Sequence, residues 1–254
     1  MFNIILERLR QKHRTHRYPK AEVRLPGRYR GRPQLDSLKC EKDCQQCIEI
    51  CPTKALIRMK EAGPPVFDLG RCLFCGDCAL ACPAKAINFT TDYRLATSTL
   101  QNLVMQNNEL QLAKTLNKKM LELFGRSLKL RQVSAGGCNA CEADINVLNT
   151  LVFDLQRFGV QIVASPRHAD GILVTGPVAK SMQLALQKTH DAISSPKLVI
   201  VCGTCSISGV PFEGDAVVPG ALAGIMPVDL FIPGCPPHPM TILDGLLRVL
   251  GKLQ

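Results

Sequence analysis

The stretch Cys72-Leu-Phe-Cys75-Gly-Asp-Cys78-Ala-Leu-Ala-Cys82-Pro83 carries four cysteines within one short segment. A matching run, Cys40-x3-Cys44-x2-Cys47-x3-Cys51-Pro52, precedes it, and its last three cysteines lie 31 residues before their counterparts. The earlier run has one extra residue between its first two cysteines. Two such runs at a constant offset indicate an internal repeat.

The chain has 254 residues, of which 46% are apolar and 20% charged, as is typical of a globular protein. It contains thirteen cysteines, an odd number that excludes a fully paired disulfide framework. No apolar run approaches the ~18 residues of a membrane span, and the N-terminus lacks the order of a secretory signal. We therefore expect a cytosolic chain, in which repeated cysteine spacings indicate metal or redox chemistry.

The spacing within each run fits an iron–sulfur cluster. Three thiolates on one tight loop reach three corners of a cubane, and a short helix carries the cysteine before proline toward the other cluster. This predicts two [4Fe–4S] clusters with crossed ligands, one on Cys40, Cys44, Cys47 and Cys82 and the other on Cys72, Cys75, Cys78 and Cys51. Zinc is the alternative, although it favours two separated C-x2-C pairs per ion. Because of the extra residue in this loop, the spacing alone does not decide whether Cys40 is a ligand. The alternative is a three-iron cluster or an altered reduction potential at this site.

Most of the net charge of +10 lies in the first 39 residues, which hold eleven Lys and Arg against three Asp and Glu. Prolines and glycines interrupt this segment, so residues 1–35 are expected to form a basic arm that is extended or loosely ordered when alone. The alternatives are a solvated arm, or an arm that binds an acidic neighbouring subunit or an anionic membrane surface. Nucleic acid is not expected as a partner, because no known binding module accompanies the charge.

Residues 93–127 are expected to form a helical linker between two domains. Positions 95–124 lack Pro and Gly, and their leucines recur at roughly helical intervals until Gly125 offers a helix end. Two helices are predicted here. They pack on the chain's own domain, or they bind a membrane or partner through a basic side with Lys114, Lys118, Lys119 and Arg126.

From residue 128 onward, strand-like apolar runs alternate with helical stretches. The predicted strands are 128–133, 160–164, 171–175, 197–202 and 228–232, and the predicted helices are 142–158, 179–192 and 240–252. This alternation indicates a parallel, doubly wound α/β sheet, whose ligands bind beyond the carboxyl ends of the strands.

The remaining cysteines follow three of these strands, and each lies near a glycine that lets backbone amides approach sulfur. Because the carboxyl ends of parallel strands meet at one edge, these cysteines are expected to converge. We predict a third [4Fe–4S] site there, with zinc as the alternative, on Cys138, Cys141, Cys205 and Cys235. Cys202 is left over and is expected to be a buried, unreactive thiol.

These motifs resemble known families. Residues 36–90 are similar to bacterial-type two-cluster ferredoxins through both cysteine runs. The stretches 137–142, 165–170, 175–177, 203–205 and 233–237 resemble the small subunit of group 4, membrane-bound [NiFe] hydrogenases of the formate hydrogenlyase type, a relative of the 20 kDa subunit of complex I. The complex I subunit has adjacent cysteines at the first position, whereas Cys138 and Cys141 are separated by two residues, as in the hydrogenases.

The resemblance implies an α/β protein that fuses two subunits. A bacterial-type 2[4Fe–4S] ferredoxin domain would cover 36–92, and a flavodoxin-like parallel-sheet domain would cover 128–254. The implied function is electron transfer in a membrane-associated oxidoreductase, with the chain peripheral on the cytoplasmic side of the inner membrane. Three [4Fe–4S] clusters would relay electrons to or from a partner large subunit, which carries the nickel–iron centre. The alternatives are a complex I-like subunit without nickel chemistry and a free-standing ferredoxin-like carrier.

A few polar residues near the third site have open roles. Glu142, directly after Cys141, is a candidate proton relay or a cap of the helix that starts there. Arg167 and His168 lie in one of the family-like stretches and are expected to be interface or hydrogen-bonding residues, and the same expectation holds for His238.

Overall fold

The computed structural model describes residues 2–12, 14–41, 43–59, 63–212 and 221–253. Its helices are α1 (Phe2–Gln11), α2 (Gln46–Glu49), α3 (Asp77–Ala81), α4 (Lys118–Phe124), α5 (Ala140–Val147), α6 (Lys180–Asp191), α7 (Thr204–Ser208) and α8 (Pro239–Val249). Its strands are β1 (Pro33–Leu35), β2 (Leu56–Arg58), β3 (Pro65–Phe67), β4 (Ile87–Phe89), β5 (Leu128–Ser134), β6 (Val160–Ile162), β7 (Gly171–Thr175), β8 (Leu198–Cys202) and β9 (Leu230–Ile232).

The N-terminal cysteine runs form a small unit with an internal repeat. Each copy consists of a cysteine loop, a short helix and a strand; β1 pairs antiparallel with β4, and β2 pairs antiparallel with β3. The repeat extends to the backbone, because Lys54 and Lys85, 31 residues apart, both have positive φ, at 53° and 48°. This is the ferredoxin-like unit that the spacing predicts, and β1 extends it to Pro33.

The C-terminal unit is a five-stranded parallel sheet with the order β6-β5-β7-β8-β9. This is the flavodoxin-like order, in which the chain moves outward from β5 in both directions. Every residue of β7 and β8 is buried, as is expected for strands that are covered on both faces. The predicted α/β class is therefore confirmed.

The two units share one hydrophobic core. A single cluster of buried side chains runs from Leu56 and Phe67 of the ferredoxin-like unit to Val174 and Val201 of the parallel sheet. A second cluster lies on the other face of the sheet and includes most of α8. Packing of this kind fixes the cysteine loops of the first unit relative to the strand ends of the second.

The predicted helical linker is wrong over most of its length. Within residues 93–127, helix is confined to the 3-10 turn Gln101–Leu103 and to α4. The chain between them is extended and pairs with the ferredoxin-like unit, since Met105 N donates to Phe67 O at 2.8 Å and Leu69 N donates to Leu103 O at 2.9 Å. Gly125 does end α4, as predicted.

Turn chemistry explains why the helix does not form. Asn107 and Asn108 both have left-handed φ values, 49° and 64°. They make a two-residue hairpin turn closed by hydrogen bonds between Gln106 and Glu109, at 2.8 and 3.2 Å. Asparagine tolerates this conformation better than most residues, so the Asn-Asn pair is a hairpin signal inside an apparently helical pattern.

The basic arm packs on its own chain. Tyr18 and Val23 are buried, and His16 N donates to Val152 O at 2.9 Å. The guanidinium of Arg157 donates to the carbonyl of His16 at 2.7 Å. A solvated arm is therefore wrong for this part of the segment, whereas the side chains described in α1 are exposed.

A buried hydrogen bond attaches the arm to α8. The hydroxyl of Tyr18 donates to Oδ1 of Asp244 at 2.8 Å, and Arg248 Nε donates to Oδ2 of the same carboxylate at 2.8 Å. Burial, followed by the nearby Asp244, raises the pKa of Tyr18 far above its usual value. The hydroxyl therefore remains a donor at ordinary pH.

We expect Tyr18→Phe to loosen the arm without unfolding the sheet. Loss of a hydrogen bond to a carboxylate costs about 1.5–3 kcal/mol, so amides in residues 14–24 should exchange with deuterium roughly tenfold faster or more. Peptides from α6, whose buried Leu186 lies in the other hydrophobic cluster, serve as the internal control and should keep their exchange rates. Unchanged exchange in residues 14–24, measured by mass spectrometry, would show that another contact holds the arm.

Candidate metal centres

The first set of thiols encloses a small cavity. Cys40, Cys44, Cys47 and Cys82 line it, together with Leu35, Pro83, Ala84 and Ile87. Burial, and then the thiols of Cys40, Cys44 and Cys82, raise the pKa of Cys47 to about 11. The first three cysteines of one run thus lie with the last cysteine of the other, which is the crossed arrangement that the spacing predicts.

The second set repeats the arrangement of the first, with the roles of the two cysteine runs exchanged. Burial raises the pKa of Cys72 to about 12, and the neighbouring thiols that add to this are Cys78, Cys51 and Cys75. Cys78 has a pKa of about 12 for the same reasons, burial first, and it is also influenced by Cys47 of the first set. The two sets therefore adjoin.

Backbone amides point at the crossing cysteines in both copies of the repeat. Ala55 N donates to Cys51 Sγ and Ala86 N donates to Cys82 Sγ, each at 3.2 Å. These donors directly follow the positive-φ lysines, which turn the chain back over the sulfur. Amide–sulfur hydrogen bonds stabilise negative charge on sulfur and are one means by which a protein tunes a cluster.

The third set lies at the carboxyl edge of the parallel sheet. Cys138 and Cys141 follow β5, Cys205 follows β8 and Cys235 follows β9. Burial, followed by Cys205, Glu142, Cys235 and Cys138, raises the pKa of Cys141 far above its usual value. Gly203, with φ of 101°, leaves room for this thiol, because a Cβ there would stand 2.6 Å from Cys141 Sγ.

A hydrogen bond joins the third set to the second. The hydroxyl of Thr204, which precedes Cys205, donates to the carbonyl of Cys72 at 2.9 Å. The loop of Cys235 also shares a cavity wall with Phe74 and Leu73, which lie between Cys72 and Cys75. Sequence reasoning missed Thr204, since nothing in the cysteine pattern marks a contact between the two units.

The thiol sets fit iron–sulfur clusters by their chemistry. Four thiolates held close together repel one another, and only a strongly cationic centre offsets this repulsion. Among the described residues, no group of three or more His, Cys, Asp or Glu is placed to bind a metal ion directly. The fit therefore depends on the donor type, the spacing and the amide–sulfur hydrogen bonds.

Glu142 is buried beside the third set, in the first turn of α5. Its Oε1 accepts a hydrogen bond from Thr175 Oγ1 at 2.6 Å, at the end of β7. Burial by itself raises the pKa of this carboxyl, but the hydrogen bonds from Ser134 and Thr175 outweigh burial and lower it. An ionised Glu142 thus attaches the helix that carries Cys141 to two strand ends.

The other singled-out residues lie apart from the thiols or serve the fold. Arg167 and His168 are exposed on the 3-10 turn Pro166–His168. His238 caps α8 by accepting from Met240 N at 3.1 Å, and burial lowers its pKa. Cys202, the last residue of β8, is fully buried, as predicted.

Comparison with known proteins gives a family for each unit. Residues 138–249 match the family described as the 20 kDa subunit of NADH ubiquinone oxidoreductase. Residues 39–87 match a 4Fe-4S dicluster domain.

Similar proteins are subunits named after larger complexes. The chain is 41% identical over 143 residues to the probable membrane-bound hydrogenase subunit mbhJ of Pyrococcus furiosus, covering 55% of this chain and 86% of that one. It is 39% identical over 140 residues to formate hydrogenlyase subunit 7 of Escherichia coli, covering 55% of this chain and 55% of that one. It is 37% identical over 122 residues to a subunit of the NADH-quinone oxidoreductase of Heliobacterium modesticaldum, covering 47% of this chain and 69% of that one. The chain therefore belongs to the family of the 20 kDa subunit of NADH ubiquinone oxidoreductase and carries a 4Fe-4S dicluster domain ahead of it.

Proposed function

We propose that this chain is the electron-transfer subunit of a membrane-associated group 4 [NiFe] hydrogenase of the formate hydrogenlyase type. The observation that carries the proposal is the third thiol set, which lies at the sheet edge and is joined to the dicluster unit by Thr204 and Cys72. The relatives named as hydrogenase and formate hydrogenlyase subunits support it. The two-residue separation of Cys138 and Cys141 favours the hydrogenase branch over the complex I branch.

Three [4Fe–4S] clusters are proposed as the cofactors, and when bound they would supply one-electron transfer. The residues proposed to hold them are Cys40, Cys44, Cys47 and Cys82; Cys72, Cys75, Cys78 and Cys51; and Cys138, Cys141, Cys205 and Cys235. The chain itself holds the thiols, and a shared apolar core fixes the dicluster unit against the parallel sheet. Bond-making at nickel and iron is assigned to a partner large subunit.

We expect the anaerobically purified chain to contain about twelve iron and about twelve sulfide, because each four-thiol set holds a four-iron cluster. Cys205→Ala should remove about four of each, since it opens the third set. The matched control is Cys202→Ala, which removes a fully buried thiol three residues away and should keep the iron content of the parent. A parent near eight iron, or iron loss on changing Cys202, would contradict the assigned ligands.

Nickel in the intact complex separates the hydrogenase from its alternative. The NADH-quinone oxidoreductase relatives favour a complex I-like assembly without nickel chemistry as the second candidate. Nickel at about one atom per complex supports the hydrogenase, and a nickel-free complex with the full iron content supports the second candidate. A stable, active monomer would instead indicate a free-standing carrier.

Glu142 is proposed as a proton relay at the face toward the partner. Thr175 and Ser134 hold its carboxylate beside the third set, where it could exchange a proton with the partner subunit. Arg167 and His168 are proposed as partner-contact residues, because both are exposed and neither is committed to the core.

Glu142→Gln should lower hydrogen turnover of the complex by roughly tenfold or more, because a positioned acid–base group contributes at least that much. The amide oxygen of Gln can still accept from Thr175, so the iron content should be that of the parent. Turnover equal to that of the parent would leave Glu142 as an anchor of α5 alone.

The chain is proposed to lie on the cytoplasmic face of the inner membrane, in contact with anionic lipid through α1. Ile5, Leu6 and Leu9 are more than half exposed on one side of this helix, and Arg8 and Arg10 flank them. An exposed apolar stripe with basic flanks is typical of helices that lie in a membrane interface. In the part of the chain that the structure describes, none of the helices has the length and hydrophobicity of a membrane span.

Replacing Ile5 and Leu9 together by Ser should weaken binding of the chain to phosphatidylserine-containing vesicles by about tenfold or more, because each buried CH₂ contributes ~0.8 kcal/mol. Arg8→Gln with Arg10→Gln should weaken binding to the same vesicles and reduce its salt dependence. Gln11→Asn, an uncharged change on the opposite side of α1, is the control and should bind like the parent. Equal binding of the parent to anionic vesicles and to neutral vesicles would contradict a charge-assisted contact.

A further inference from the structure

An arginine holds the first cysteine loop. Arg58, at the end of β2, donates from Nη2 to the carbonyl of Cys44 at 2.8 Å. Its positive charge acts on the same thiol set, because it partly offsets the effect of burial on the pKa of Cys40. Cys44 is the middle ligand of this loop, so the cation lies against the backbone that wraps the proposed cluster.

The internal repeat does not supply this arginine to the second loop. The residue 31 positions after Arg58 is Phe89, at the end of β4, and it packs edge-on against Phe67 and Phe74. The counterpart of Cys44 is Cys75. Its carbonyl nevertheless accepts a hydrogen bond from an arginine, which is Arg30 of the basic arm.

Gly76 makes room for this contact. It has φ of 88°, and a Cβ at this position would stand 2.8 Å from Nη1 of Arg30 and 3.3 Å from its Cδ. The counterpart in the first loop is Gln45, with φ of −120°, so the glycine is specific to the loop that the arm covers. Two independent features of the chain, Arg30 and Gly76, thus serve one contact.

We propose that Arg30 tunes the charge environment of the second thiol set, replacing in space the arginine that the repeat lacks at Phe89. This deepens the proposed function and rests on it. The guanidinium places a positive charge against the loop of Cys75 and favours the reduced, more negative form of a cluster held there. The basic arm therefore has a role inside the chain, apart from any partner or lipid.

The effect is expected to be modest, because Arg30 is exposed and water screens its charge. We expect a threefold to tenfold change in the one-electron reduction equilibrium, and a tenfold change corresponds to about 59 mV. Arg58 is less exposed than Arg30, so its effect on the first set should be at least as large.

The test is a redox titration of the loaded chain, with dithionite as the electron donor and paramagnetic resonance as the readout. Arg30→Gln should lower the midpoint potential of one cluster, and Arg58→Gln should lower that of a different one. The double variant should show both shifts, because Arg30 and Arg58 contact different loops. Arg30→Lys keeps the charge and should restore most of the potential. Arg24→Gln removes an exposed positive charge elsewhere on the arm and should leave all potentials unchanged.

The outcomes separate this inference from the proposed function. A parent chain that binds no clusters would overturn the function itself. Parent-like iron with unchanged midpoints in Arg30→Gln, or a shift no larger than that of Arg24→Gln, would overturn only the role of Arg30. Loss of iron in both Arg30→Gln and Arg30→Lys would also overturn it, because the contact would then hold the loop rather than tune it.

Discussion

The crowding of buried thiols is the constraint on which this structure depends. Burial and the neighbouring sulfurs raise the pKa of Cys47 and Cys205 to about 11 and of Cys72 and Cys78 to about 12. Sulfurs gathered in this way are unfavourable as bare thiolates, and a bound cationic iron centre would make their grouping favourable. Folding of the loops and acquisition of the clusters are therefore expected to be coupled.

The two units that carry these thiols are packed together as one body. The thiols of the ferredoxin-like unit and the strand ends of the parallel sheet are fixed by a shared apolar core and by the bond from Thr204 to Cys72. A mobile joint would let the distance between the second and third sets vary. A continuous core keeps that distance constant, as electron transfer between clusters proposed at the two sets would require.

Much of this arrangement can be predicted from the sequence, and there are physical reasons why the rest cannot. The 31-residue repeat predicts the crossed thiol sets, and the apolar runs predict β7 at its observed bounds. Leucine spacing predicts a helical linker wrongly, because it masks the Asn107-Asn108 turn within the same stretch. Contacts such as Tyr18 with Asp244 join residues 226 positions apart, and no local pattern encodes them. The contact of Arg30 with Cys75 is of the same kind, since it is visible only once the arm is folded back.

The extended linker also affects how the molecule behaves toward its neighbours. Thr97 and Phe231 exchange two backbone hydrogen bonds, at 2.9 and 2.8 Å, along the outer side of β9. β9 is the last strand of the sheet, and an uncovered last strand offers a template on which other chains can add and aggregate. The segment that joins the two units therefore also covers this edge strand. The parallel-sheet unit made without residues 93–127 would expose β9 as an unpaired edge and would be more prone to self-association than the fused protein.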